Sequence, residues 1–170
     1  MTTGTTSLNE ITEATAKAVR ENPAGAAVVF RAAGTPHGTV GSTVTAGLHR
    51  LAVDEPPALG GEDTAPNPVE VYLGALISCQ IVTYRFWAQR LGITVDELSI
   101  EAEGDLDVRG FFGLDEQVRA GFQAVRVRVR ISGPATPQRY AELQAAVDAH
   151  CPVLDLTTGA TPVHTTLETA

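Results

Sequence analysis

Cys79 and Cys151 are the only thiols in this 170-residue chain, and they are the residues whose type could support covalent chemistry. Cys151 stands directly before Pro152 at an expected helix start, where the helix field and the free N–H groups of the first turn favour a thiolate. Cys79 falls about twelve residues inside a long helix, beyond the reach of the terminal field. A reactive Cys79 therefore needs a positive partner brought from elsewhere in the structure. On the residues alone, a redox pair and two inert core thiols stand side by side, because free cysteine is among the most buried residue types.

Other chemistries have weaker support. His37, His49, His150 and His164 are scattered, and without a CxxC or HExxH spacing no metal is expected. Serine hydrolysis lacks its GxSxG elbow, and no GxGxxG or Walker sequence offers a nucleotide cradle. The acidic GEDT and GDLD stretches read as solvated loops, and Arg109 with Gly110 and two phenylalanines reads as a turn with an apolar anchor. Arg126, Arg128 and Arg130 alternate with Val125, Val127, Val129 and Ile131. That pattern predicts a strand with one wet face rather than an anion site.

The element that must position Cys79 is the stretch from Ala65 to Gly92. Asn67 is a good N-cap, Pro68 suits the first helical position, and Glu70 can return a hydrogen bond to the cap. Gly92 supplies the stop. From Val69 to Leu91, 15 of 23 residues are apolar, and Val71 to Tyr84 carries no charge, which predicts a core helix with Cys79 inside and cover on every side. Ser78, Gln80 and Thr83 interrupt it, so it is too short for a bilayer span. Before it, Ser7 and Glu10 open a short amphipathic helix ending before Pro23. Residues 26–31 read as a strand, Gly34, Pro36 and Gly38 as a turn, and residues 39–56 as further antiparallel strands. After it come a strand with Leu98, Ile100 and Ala102 on one face, the Val/Arg strand, and a helix from Pro137 with Tyr140, Leu143, Ala146 and Val147 on its apolar face. A last short helix and a strand through Pro162, Val163 and His164 complete the order. Strands, long helix, strands and helices make an α+β protein.

Composition narrows the partners. With 12 basic and 20 acidic residues the formal charge is -8, so a nucleic-acid partner is not expected. The first ten residues show no secretory signal, no stretch reads as membrane-spanning, and a cytoplasmic protein is the expectation.

Together, APNPVEVYLGALISC at residues 65 to 79, the following AQRLGI, the LGG ahead of the helix and HCPV at 150 to 153 resemble the OsmC/Ohr family, osmotically inducible protein C and organic hydroperoxide resistance protein. The resemblance covers roughly residues 24 to 168. It implies residues 1–23 as a helical extension and 24–170 as an OsmC-like domain, with antiparallel sheets wrapped around a long central helix in an intertwined homodimer. It also implies a thiol-dependent peroxidase, with Cys79 as the peroxidatic cysteine, Cys151 as the resolving one, organic hydroperoxide as substrate, an external dithiol as reductant and no cofactor. Family enzymes hold the first thiolate with an Arg and a Glu. Of Arg31 and Arg50, both on N-terminal strands, Arg50 is the better candidate. The Glu of the characterised peroxidases lies ten residues before the cysteine, where this chain has Val69. That departure leaves a rival reading, a small-molecule binding or stress-related dimer with little turnover.

Overall fold

The computed structural model describes residues 7–169. Its elements are α1 (Leu8–Glu21), β1 (Ala32–His37), β2 (Gly41–Ala46), β3 (His49–Val53), α2 (Pro68–Leu91), β4 (Glu97–Asp105), α3 (Val108–Phe111), β5 (Ala124–Ser132), α4 (Pro137–His150) and α5 (Pro152–Thr158). The strands form an antiparallel β1-β2-β3 sheet and a β4-β5 pair, the α+β composition expected. The chain divides into two compact units, one taking the residues up to Gly74 with Ala102–Arg126, the other Ala75–Glu101 with the residues from Val127 onward.

In the first unit, α1 starts on the predicted capping box, with Ser7 Oγ accepting from the Glu10 N–H and the Glu10 carboxylate accepting from the Ser7 N–H. β1 corrects the sequence reading: the strand lies at Ala32–His37, over the residues expected to turn, and residues 27–31 carry no regular structure. The turn after Gly38, which has a φ of 56°, closes the hairpin, so the residues adjoining it pair from His37 with Gly41 to Ala32 with Ala46. Register is set by that closure rather than by β-propensity, and Pro36 is tolerated because β1 is an edge strand. Val28, Val29 and Phe30 are left 68%, 71% and 91% exposed.

A buried carboxylate ties down the loop into α2. Asp54 accepts from the Glu62 N–H, the Thr64 N–H and the Thr64 hydroxyl at 3.0–3.1 Å. These bonds, the Thr64 N–H foremost, pull its pKa down to about 2. Gly61 passes so close to the Glu55 carbonyl that a Cβ would lie 1.7 Å from its oxygen, which requires glycine there. α2 then opens on the predicted box, Glu70 N–H to Asn67 Oδ1 and Asn67 N–H to Glu70 Oε2, both 2.9 Å.

In the second unit, α2 runs to Leu91 and Gly92 ends it at a φ of 63°. Arg139 on α4 donates to the Leu91 carbonyl at 2.7 Å, satisfying one of the free acceptors of the helix end. The Tyr140 hydroxyl donates to the Thr94 carbonyl and accepts from the Ala135 N–H. Leu98 and Ile100 of β4 and Val129 and Ile131 of β5 pack on a core of Tyr84, Ala88, Ile93, Leu143, Val147 and Cys151. The arginines of β5 point the other way, as expected of a wet face. Arg128 and Arg130 pair with Glu101, and in the first unit Arg126 pairs with Glu103 and Asp105.

Within this single chain Leu76, Gln80, Thr83, Tyr84 and Ala88 are the buried residues of α2, one stripe of the helix. One further expectation is corrected. Residues 159–169 contain no strand through Pro162, Val163 and His164; that segment has no ladder partner among the described residues, and Val163 is 83% exposed.

Candidate active site

The second unit brings the two thiols together. Cys79 projects from α2 and Cys151 sits at the junction where α4 ends and α5 begins, the cap position expected from Pro152. Both are free, and Cys79 packs against the core cluster that contains Cys151, close enough to influence its titration. Cys151 is 1% exposed, whereas Cys79 is only partly buried and packs against the same core.

The electrostatics of Cys151 differ from the sequence expectation. Burial pushes its thiol above the ordinary 9.0, and the neighbouring Cys79 adds to the shift. The Leu154 N–H, in the first turn of α5, and the Thr83 hydroxyl work against it but are outweighed. The cap thus supplies the helpful N–H groups, and desolvation still keeps the thiol protonated. Thr83 was missed as a site residue although its spacing from Cys79, one helical turn, could have indicated it. Its hydroxyl donates to the Cys79 carbonyl at 2.8 Å and lies near enough to the Cys151 thiol to influence its titration.

An aromatic group borders the pair. The rings of Trp87 and His150 lie 4.2 Å apart, and the Arg90 guanidinium sits 4.7 Å from the Trp87 centroid. His150 Nδ1 is 2.8 Å from the Ala146 carbonyl, which makes it the protonated nitrogen. Tyr84, 3% exposed, is raised to about 12 by burial and then by the charge of Asp148.

Arg50 lies in the first unit, on β3 opposite Thr45, with an exposed side chain and no ion pair among the described residues. Glu70 is engaged in its capping box and Val69 is 37% exposed. No three His, Cys, Asp or Glu side chains among the described residues converge as a metal site would need.

Residues 60–166, more than half of the chain, match the family model described as OsmC-like protein. The chain belongs to this family. A relative in sequence, the uncharacterized protein YmaD of Bacillus subtilis, is 31% identical over 71 residues, a match that covers 41% of this chain and 47% of that protein, so the chain spans about half the length of the curated relative it matches. The OsmC-like protein of Mycoplasma pneumoniae has a similar structure, with a TM-score of 0.67 at 16% identity over 78% of this chain and 89% of that one. So does an organic hydroperoxide resistance protein from Legionella pneumophila, with a TM-score of 0.60 at 24% identity over 78% and 90%. These likenesses establish an OsmC-like fold. Among the described residues no helix is long and apolar enough to cross a membrane.

Proposed function

We propose that this OsmC-like protein is a thiol-dependent peroxidase that reduces organic hydroperoxides. The observation that carries the reading is the closeness of two free thiols of unequal exposure at one core. The Cys79 thiolate attacks the peroxide, an S–O bond forms as the O–O bond breaks, and the alcohol leaves with a proton. Cys79 is then a sulfenic acid. Cys151 condenses with it, releasing water, and an external dithiol reduces the disulfide. Burial supports this division of labour, because a thiol held protonated and 1% exposed is a poor target for incoming peroxide. The apolar surroundings, Trp87, Leu91 and Leu154 among them, favour an alkyl hydroperoxide over hydrogen peroxide. A structural relative bearing the name of organic hydroperoxide resistance supports the substrate class.

Arg50 is the guanidinium we assign to polarise Cys79, and a cytoplasmic homodimer with no metal or organic cofactor is the working form. The test is stoichiometric cumene hydroperoxide followed by peptide mapping. One intramolecular Cys79–Cys151 disulfide is expected, with peroxide consumption abolished in Cys79→Ser and reduced in Arg50→Ala. Two thiols recovered free, with the peroxide unconsumed, would leave the second reading, an OsmC-like binding or stress-related dimer. That reading is favoured by Val69 where the characterised peroxidases carry a carboxylate.

A further inference from the structure

Gln80 follows Cys79 in α2 and is 3% exposed, yet its amide oxygen has no hydrogen-bond partner among the described residues. No other buried side-chain oxygen or nitrogen among them is left in that condition. An unpaired amide inside a protein is costly, and leucine or methionine would fill the same place without that penalty. The position itself suggests what the oxygen is held for. Residues four apart form ridges along a helix, so Cys79 and Thr83 lie on one ridge and Leu76, Gln80 and Tyr84 on the next. Cys79, on the first ridge, packs against the core cluster that holds Cys151. Thr83 cannot serve Gln80 as a donor, because its hydrogen already goes to the Cys79 carbonyl. Reduced Cys79 offers only a weak S–H donor.

Oxidation changes the inventory. When the Cys79 sulfur takes an oxygen from a hydroperoxide, it loses two electrons to the peroxide, which departs as the alcohol, and the new S–OH carries a strong O–H donor beside an acceptor that lacks one. We propose that Gln80 is a positioning residue for the sulfenic acid of Cys79: its amide oxygen accepts the S–OH hydrogen and holds the intermediate for Cys151. This rests on the peroxidase reading for its physiological meaning but not for its test, since hydrogen peroxide oxidises an accessible thiol whatever the natural substrate.

The experiment removes Cys151 as Cys151→Ser, oxidises with hydrogen peroxide, and follows sulfenic and then sulfinic acid on Cys79 by intact mass and dimedone labelling. In that background Gln80→Met, close in shape but without the acceptor, is expected to shorten the sulfenic acid lifetime about fivefold, the worth of one net hydrogen bond. The rate of first oxidation should change less than about twofold, because the reduced thiol makes no use of the acceptor. Gln80→Glu, whose buried carboxyl is driven to the neutral form and keeps a carbonyl acceptor, is expected to restore the lifetime. Thermal unfolding of the reduced proteins gives the readout independent of chemistry: Gln80→Met should melt no lower than the parent, since it removes an unpaired group. Equal sulfenic acid lifetimes in the parent and Gln80→Met, or a Gln80→Met protein that melts well below the parent, would overturn the assignment. Sulfenic acid formed by hydrogen peroxide but never by cumene hydroperoxide would count against the peroxidase reading alone and leave the lifetime comparison intact.

Discussion

Thr83 stands one helical turn after Cys79, donates its hydroxyl hydrogen to the Cys79 carbonyl at 2.8 Å, and lies near enough to the Cys151 thiol to influence its titration. It therefore bears on both cysteines. Turned from that carbonyl to the Cys151 sulfur, the same hydrogen would stabilise the thiolate, a lowering that burial outweighs. Thr83→Val keeps the shape and removes that help, so the Cys151 thiol should rise further. Disulfide closure near neutral pH is then expected to slow several-fold, roughly what one hydrogen bond is worth, while the first oxidation of Cys79 keeps its rate. Stopped-flow measurement of the two steps separates them, and a variant slowed equally in both would show that Thr83 matters only for packing.

Glu70 is the carboxylate nearest in sequence to the place where characterised peroxidases carry one, and its oxygen is already engaged by the Asn67 N–H at 2.9 Å. Glu70→Gln keeps an acceptor at that point and should leave peroxide turnover largely unchanged. Asn67→Ala should cost about 1 kcal/mol of stability with little kinetic effect, as cap losses do. Val69→Glu is expected to raise turnover or leave it neutral, since a carboxylate there would stand where the characterised peroxidases carry theirs. A folded Glu70→Gln protein that loses turnover a hundredfold would show that this carboxylate serves the thiol directly.

How much of this could be read in the sequence depended on how local the cause was. The caps of α1 and α2, the Gly92 stop, the alternation of β5 and the junction at Cys151 are each fixed by residues within a few positions of one another. β1 was misread because closure at Gly38, not the β-branched run at Val28 and Val29, decides which residues pair with β2. The charge state of Cys151 was misread because its cap is local whereas its burial is completed by Tyr84, Ala88 and Ile93, distant in sequence. Thr83 and Gln80 looked like polar interruptions of an apolar helix. Only their surroundings distinguish a hydroxyl that bears on two cysteines from an amide oxygen without a partner.

The exposed apolar side chains of the single chain bear on its assembly. Val82 on α2 is 54% exposed, and Phe30, Leu48 and Val163 exceed 80%. A helix with so little polar surface needs more cover than one stripe provides. We expect an obligate homodimer with an interface above about 2,000 Å². Light scattering at micromolar concentration should return twice the 17.8 kDa of the chain. Val82→Asp should weaken the dimer and lower the melting temperature together. A wild-type protein of monomer mass, stable and active, would refute this.

Tyr84 gives the protein a defined alkaline weakness. Its phenol is raised from 10.0 to about 12, first by burial and then by the charge of Asp148. Below pH 10 the phenol is neutral in both folded and unfolded chains, and the stability it contributes is fully present. Between about 10 and about 12 the unfolded chain gives up the proton while the folded chain keeps it, so the folded state binds more protons and stability falls as pH rises. A two-unit gap amounts to about 3 kcal/mol at most. Cys151, raised from 9.0 by burial, starts the same decline earlier. Urea unfolding as a function of pH should therefore show a plateau to about pH 9, a shallow loss above it and a steeper one above 10. Tyr84→Phe removes the steeper part, Cys151→Ser removes the earlier part, and Asp148→Asn lowers the folded-state Tyr84 pKa, so that the Tyr84 loss becomes smaller and ends at a lower pH. If Tyr84→Phe and the parent lose stability in parallel through that range, the phenol is not held neutral by its surroundings and the alkaline limb belongs to other groups.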